Sequence, residues 1–184
     1  GILGTLPLAA YSLQHVVFAL AFMIALGIAS ATSVRVGIAH GQRDWSNRAM
    51  AAWSGFGLAV AVLAAIGGFL VLFPTAVAAI FTDNATLAMA AVPLIAFCAY
   101  ALIFDGGQVV IASALRGAGE TWAPTAIHMV SYLAVMIPAG WIFAFTLNFG
   151  AMGLLGAIIL ASAVSVTLLS IRFVVISRQK IKGS

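Results

Sequence analysis

Five long runs of apolar residues, joined by links too short to hold a folded domain, constrain this chain more than any other feature. A helix needs about 20 mostly apolar residues to cross the hydrocarbon core of a bilayer. Residues 6–34, 50–73, 87–115, 123–147 and 152–176 each meet that length. The first and third runs are long enough to tilt or to continue past the membrane. The links read VRVGIAHGQRDWSNR, FPTAVAAIFTDNAT, RGAGETW and NFGAMG. In lipid every backbone N–H and C=O must be satisfied within the protein, and the period-2 pattern of barrel strands is absent, so each run is expected to be a helix. The fold class expected is an all-α membrane protein, a bundle of five transmembrane helices.

Composition agrees. Hydrophobic residues make up 64% of the chain and charged residues only 7%, where a soluble domain carries about a quarter. The net charge of +4 comes from eight basic residues spread over several links. They form no basic face, so nucleic acid is not an expected partner. A single cysteine, Cys98, excludes a disulfide within the chain and a cysteine-based metal cluster. Residue 1 is Gly, with no charged n-region or small-residue cleavage site after it. The chain therefore reads as part of a longer protein rather than a precursor with a signal peptide.

The basic residues also assign an orientation. Arg35, Arg43 and Arg48 fall in the first link and Arg116 in the third, while Arg172, Arg178, Lys180 and Lys182 close the chain. The second and fourth links hold none. By the positive-inside rule the first link, the third link and the C-terminus are cytoplasmic, and the N-terminal end of this chain is outside. Trp45 and Trp122 then fall at the cytoplasmic boundary and Trp141 towards the outer one, where amphipathic rings anchor. The tail SRQKIKGS reads as the ordinary topogenic signal beside membrane lipid rather than a dedicated lipid site.

Acidic residues are rarer still. Asp44, Asp83 and Glu120 lie in links, where Asp83-Asn84 and Thr86 offer a helix cap. Asp105 alone lies inside a run, 11 residues before Arg116. At 1.5 Å per residue that is about 16 Å from the helix end, near the middle of a core about 30 Å thick. A charged Asp there costs about 2.5–3.5 kcal/mol on insertion scales and normally faces a bundle interior or a water-filled cavity. Such a carboxylate can exchange a proton or a metal ion as access alternates between the two sides; its bland reading is a hydrogen bond that holds two helices together. Gln108, three residues on, shares a face with Asp105. Gly106 and Gly107 follow directly, where another backbone could approach closely.

Other polar groups within the runs carry less. Ser12, Gln14 and His15 cluster near one end of the first run and could line a mouth. His128, Ser131 and Tyr132 cluster in the fourth. Both sets read as interhelical hydrogen bonding. Pro93 and Pro138 lie inside helical runs and should kink them. Enzyme chemistry is not indicated: there is no nucleophile elbow, no H-E-x-x-H and no metal-ligand cluster.

The segments SVRVG and then DGGQVV–ALRGAGET–P, with MVSYLAVMIPAGWIFAF and GAMGLLGA behind them, resemble the C-terminal half of the multidrug and toxic compound extrusion (MATE) family, and its bacterial NorM-type branch in particular. The resemblance runs over nearly the whole chain. It implies twelve helices in two lobes around a central cavity, worked by alternating access, with the five runs here resembling helices eight to twelve. The N-terminal lobe and the first helix of the C-terminal lobe are then missing partners. Asp105 matches the acidic residue implicated in cation coupling, and would hold Na⁺ if coupling is to sodium. Gln108 follows as a cavity-lining residue. Arg116, Gly117 and Gly119 match the motif after that helix, where a tight turn and contact with lipid phosphate or the neighbouring loop are implied. The family's first-helix pattern, often His-Gln near positions 11 and 12 and Pro near 25, reads Tyr11, Ser12 and Ala25 here, so no role in the first helix carries over.

The implied function is secondary antiport: export of cationic small molecules in exchange for Na⁺ or H⁺ across the bacterial inner membrane, with no cofactor. Two alternatives stay open. One is a truncated or structural membrane subunit that does not transport. The other is a lipid-linked glycan flippase of the same superfamily, against which stands the lack of basic residues in the interior of the spans.

Overall fold

The structure, a computed structural model, describes residues 5–182. Lys180, Lys182 and the chain end at Gly183-Ser184 belong to the basic tail, and their side chains lie outside the described residues. Among those described there is no strand. The helices are α1 (Thr5–Gly41), α2 (Trp45–Leu72), the short α3 (Pro74–Phe81), α4 (Ala85–Gly117), α5 (Trp122–Val130), α6 (Ile137–Trp141) and α7 (Gly150–Lys182). π-helical turns at Ser131–Met136 and Ile142–Thr146 make α5 and α6 one continuous crossing, Trp122–Thr146. Five helical spans are long and apolar enough to cross a membrane, as the sequence indicates.

Large apolar side chains point outward, the reverse of a soluble core: Leu72 is 73% exposed, Met50 63% and Leu20 60%. Lipid, or further apolar helices of the same protein, makes that arrangement favourable. The inside is α4, which packs along α1, α2 and α7. Small residues let it do so. With no hydrophobic drive between helices in lipid, close backbone approach supplies the dispersion contact instead. Gly117 shows this best, since a Cβ there would overlap the Ser33 carbonyl of α1. The approach expected at Gly106 and Gly107 is different in kind. A Cβ at Gly106 would overlap the Leu63 side chain from α2, and one at Gly107 would lie 3.0 Å from Phe56 and 3.6 Å from Val166. Side chains, not a second backbone, fill the space that the glycine pair leaves.

Two links are shorter than the sequence suggests. In the first, α1 continues to Gly41 and only residues 42–44 turn. Arg43 takes a left-handed φ of 57°, its N–H bonds the His40 carbonyl at 3.1 Å, and Asp44 N–H reaches Ala39 at 3.0 Å. These two bonds form a Schellman closure. Asp44 then caps α2 by accepting from Asn47 N–H at 2.9 Å. In the second, PTAVAAIF winds into α3 because Pro74 occupies the first turn, where no N–H is needed. Asn84, not Asp83, caps α4, accepting from Thr86 and Leu87 N–H at 3.0 and 3.1 Å.

Arg48 corrects a further expectation. Counted with a solvated link by sequence, it is fully buried in the first turn of α2. Its guanidinium meets His40 Nδ1 at 3.3 Å and donates to Ser177 Oγ at 3.4 Å and the Ile176 carbonyl at 3.5 Å, with the Trp45 ring 5.0 Å away. A fully buried basic side chain therefore ties α1, α2 and α7 together at the end where the basic residues gather. Pro93 sits inside α4 without ending it.

Candidate functional site

Asp105 lies midway along α4, half-buried. Three donors from three crossings converge on one of its oxygens, Oδ1. Gln108 Nε2 donates from the next turn of α4. Tyr132 OH donates from the fourth crossing at 3.2 Å, and Ser162 Oγ from α7 at 3.2 Å. Gln108 Nε2 also donates to Tyr132 OH at 2.8 Å, closing the ring of contacts. The second oxygen, Oδ2, accepts nothing from the described residues and is not among their buried unpartnered atoms.

Asp105 and Tyr132 line a cavity of about 200 Å³ with Gln14, His15, Phe18 and Met136. A second, apolar chamber of about 290 Å³, walled by Trp141, Phe145 and Leu154, shares Tyr11, Met136 and Ile158 with the first. The pair thus joins an acid to an aromatic-lined space. Among the described residues no group of three or more His, Cys, Asp or Glu could hold a metal.

The local backbone explains how Tyr132 gets there. It sits in the first π-helical turn, whose closing bond runs from Ile137 N–H to the Tyr132 carbonyl. Pro138 follows at once, with no N–H to give and a ring that crowds the preceding turn. Widening that turn rotates the side chains of residues 131–136 relative to an α-helix, and such insertions recur at functional sites. The kink expected at Pro138 takes this form.

Of the residues singled out by sequence, Asp105 and Gln108 come together as expected. Arg116, Gly117 and Gly119 lie at the basic end of α4, away from them. Arg116 is exposed. Gly119 makes the tight turn, with φ 85°, its N–H on the Arg116 carbonyl at 3.0 Å and Glu120 N–H on Leu115 at 2.9 Å. Glu120 pairs with Arg172 at 2.8 Å. Tyr132, read from sequence as an interhelical hydrogen-bonding group, makes such bonds with Gln108 and with the carboxylate itself, and Gln14 and His15 do line a cavity. Ser162 and Ser165 escaped sequence reading. Their signal was available as two serines three apart in ASAVSV, on one face of a helix.

Comparison with known proteins places this geometry. The MatE family model matches residues 1–142. A probable multidrug resistance protein NorM of Caulobacter vibrioides is 39% identical over 176 residues, covering 94% of this chain and 37% of that protein. One of Xanthomonas axonopodis pv. citri is 36% identical, covering 97% and 39%. The chain thus spans about two fifths of the length of these relatives. In fold it is similar to the eukaryotic MATE transporter AtDTX14, with a TM-score of 0.86 at 19% identity over 96% of this chain and 40% of that one. An inward-facing multidrug resistance MATE transporter of the MOP superfamily gives 0.83, also at 19% identity, over 95% and 40%.

Proposed function

The chain belongs to the MatE family, and on that premise we propose that it forms part of the C-terminal lobe of a secondary antiporter. It exports organic cations in exchange for Na⁺ or H⁺, with Asp105 as the coupling carboxylate. The observation that carries this reading is the convergence of Gln108, Tyr132 and Ser162 on Asp105 Oδ1 beside a cavity, with Oδ2 left over. A carboxylate that served packing alone would not need three donors on one oxygen and an open second one. Binding of an ion at Oδ2 removes the negative charge that an organic cation would otherwise use, so ion and substrate compete for one site. Release of one on binding of the other is antiport.

The adjoining apolar chamber suits the hydrophobic body of such a cation. Alternating access requires a second lobe facing this one, so this chain acts only with the remainder of the longer protein. The bacterial inner membrane is the expected location, with the basic link ends and the C-terminus in the cytoplasm. No cofactor enters the scheme.

The test is efflux of a fluorescent organic cation from vesicles holding the full-length protein, under imposed Na⁺ and pH gradients. Coupling energies between two sites typically run about 1–3 kcal/mol, or 5- to 150-fold. Asp105→Asn, which keeps shape and loses charge, should reduce gradient-driven efflux by that order while the protein still inserts. Unchanged efflux would remove Asp105 from the mechanism.

A further inference from the structure

His128 is a titratable side chain that the coupling scheme leaves unused. Its surroundings are polar for a site within a membrane span. Ser165 Oγ of α7 lies 3.2 Å from its Nδ1, and Tyr132 stands one turn on, ring centroids 6.3 Å apart. Ser165 is one turn from Ser162, and both are fully buried on the same face of α7. Asp105, Ser162, Ser165 and His128 therefore follow one another across three crossings, the first and last pairs each 3.2 Å apart.

Two orphan atoms lie along this seam. Gln108 Oε1 and Ser131 Oγ are buried without any partner, on residues 5% and 0% exposed. Gln108 is bonded to Asp105, and Ser131 is one turn from His128. A buried polar atom without a partner calls for water. The seam also has a direction. His128 is six residues inside Trp122, about 9 Å, whereas Asp105 is 11 residues inside Arg116, about 16 Å. His128 thus stands between the carboxylate and the basic end.

We propose that His128 is a second proton-binding group of this transporter, and that Ser162, bridging water and Ser165 carry the proton between it and Asp105. This deepens the antiport reading, on which it rests, by making the coupling ion H⁺. An imidazole exchanges protons near neutral pH, and hydroxyls relay them, whereas a nitrogen ring and two serines offer a hard cation no continuous set of oxygens. The step balances. The Asp105 O–H bond breaks as one forms on the relay, each hydroxyl or water gives one proton and receives one, and Ser165 delivers to Nδ1. Nε2 releases its own proton to the basic side, so one proton leaves the carboxyl, one emerges, and no electron moves.

The other charged and titratable neighbours are few. On α4 the charged residues are Asp105 and Arg116. On its own crossing the neighbour is Tyr132. On α7, Arg172 lies two turns beyond Ser165 and is held by Glu120.

The full-length protein in vesicles, loaded with a fluorescent organic cation, tests this through the dependence of efflux on the pH of the basic-end compartment. His128→Gln should slow H⁺-driven efflux about 100-fold, the order general acid–base groups contribute, and flatten its pH profile. Substrate affinity should stay within about twofold of the parent, as for a group acting on turnover rather than binding. Ser165→Ala, which keeps His128 and loses its partner, should slow efflux less but in the same direction, and serves if the histidine variant does not fold. An unchanged rate and profile in both variants would overturn the relay while leaving antiport intact. So would efflux by the parent driven by Na⁺ alone. No gradient-driven efflux by the parent protein would instead defeat the antiport reading itself.

Discussion

Asp105 is bound as a member of a network, and that has a measurable signature. Tyr132→Phe keeps the ring in place but removes a hydroxyl that donates to Asp105 and accepts from Gln108. Interhelical hydrogen bonds in membranes average only about 0.6 kcal/mol, so the melting midpoint in detergent should fall slightly. The coupling ion should respond more, because Gln108 and Ser162 must then share the carboxylate between them. Combining Tyr132→Phe with Ser162→Ala should depart from additivity by more than about 0.5 kcal/mol in ion binding, the level at which neighbours in one network couple. Strict additivity in ion titrations of the full-length protein would mean that the donors act separately. Asp105 and Gln108 were legible in the sequence because a carboxylate in an apolar run is conspicuous and an i, i+3 pair shares a face by geometry alone. Tyr132 and Ser162 were not, because which helices meet, and at what rotation, is decided by packing that no single stretch encodes.

The helices themselves were legible for a simpler reason, since length and apolarity suffice to define a crossing. Their ends and irregularities were less so. The π-helical turns around Pro138 depend on how neighbours absorb a missing N–H, and α3 hides in a link because it is only eight residues long. Two helix ends, the one following ATSVRVGIAHG and the one within ASALRGAGET, close alike, each by a Schellman pair of bonds. They differ at the left-handed position, which is Gly119 in one and Arg43 in the other. A left-handed conformation costs an L-residue about 1–2 kcal/mol, so Arg43→Gly should raise the melting midpoint, offset in part by the extra freedom glycine gives the unfolded chain. A lower midpoint would show that the Arg43 side chain contributes more than its backbone strain costs. Among interior glycines, substitution by alanine should hurt in a definite order. Gly57 meets nothing within 4 Å and should tolerate it; Gly106 meets the movable end of Leu63; Gly117 meets the Ser33 backbone. Overpacking typically costs about 1–3 kcal/mol, and Gly117→Ala should sit at the top of that range because a carbonyl on a packed helix cannot turn aside. Thermal melts of the three variants rank them, and equal losses would contradict the α1–α4 crossing described above.

At the level of the whole molecule the charges and the site impose one orientation between them. Every basic residue whose side chain is described lies at the end of the bundle holding residues 42–44 and 118–121, and the links at 82–84 and 147–149 are free of them. The His128 relay and the Schellman turns lie towards the first end, while Trp141 and the apolar chamber lie towards the second. If the basic end is cytoplasmic, the proposed relay would carry protons from Asp105 inward through His128 while the organic cation of the proposed antiport leaves through the opposite mouth, the directions that export needs. If it is not, the same geometry would drive uptake. Thiol labelling decides between these. The native Cys98 is fully buried and bonded to the Ile95 carbonyl, so it should give no background with a membrane-impermeant reagent. Asp83→Cys, at an exposed position between α3 and α4, should label in intact cells expressing the full-length protein. Gln42→Cys, exposed in the turn between α1 and α2, should label only after the membrane is opened. Both substitutions avoid the capping residues Asp44 and Asn84, so a change in labelling reports sidedness rather than unfolding. The reverse pattern would turn the bundle over, and with it the direction in which Asp105 and His128 pass the proton.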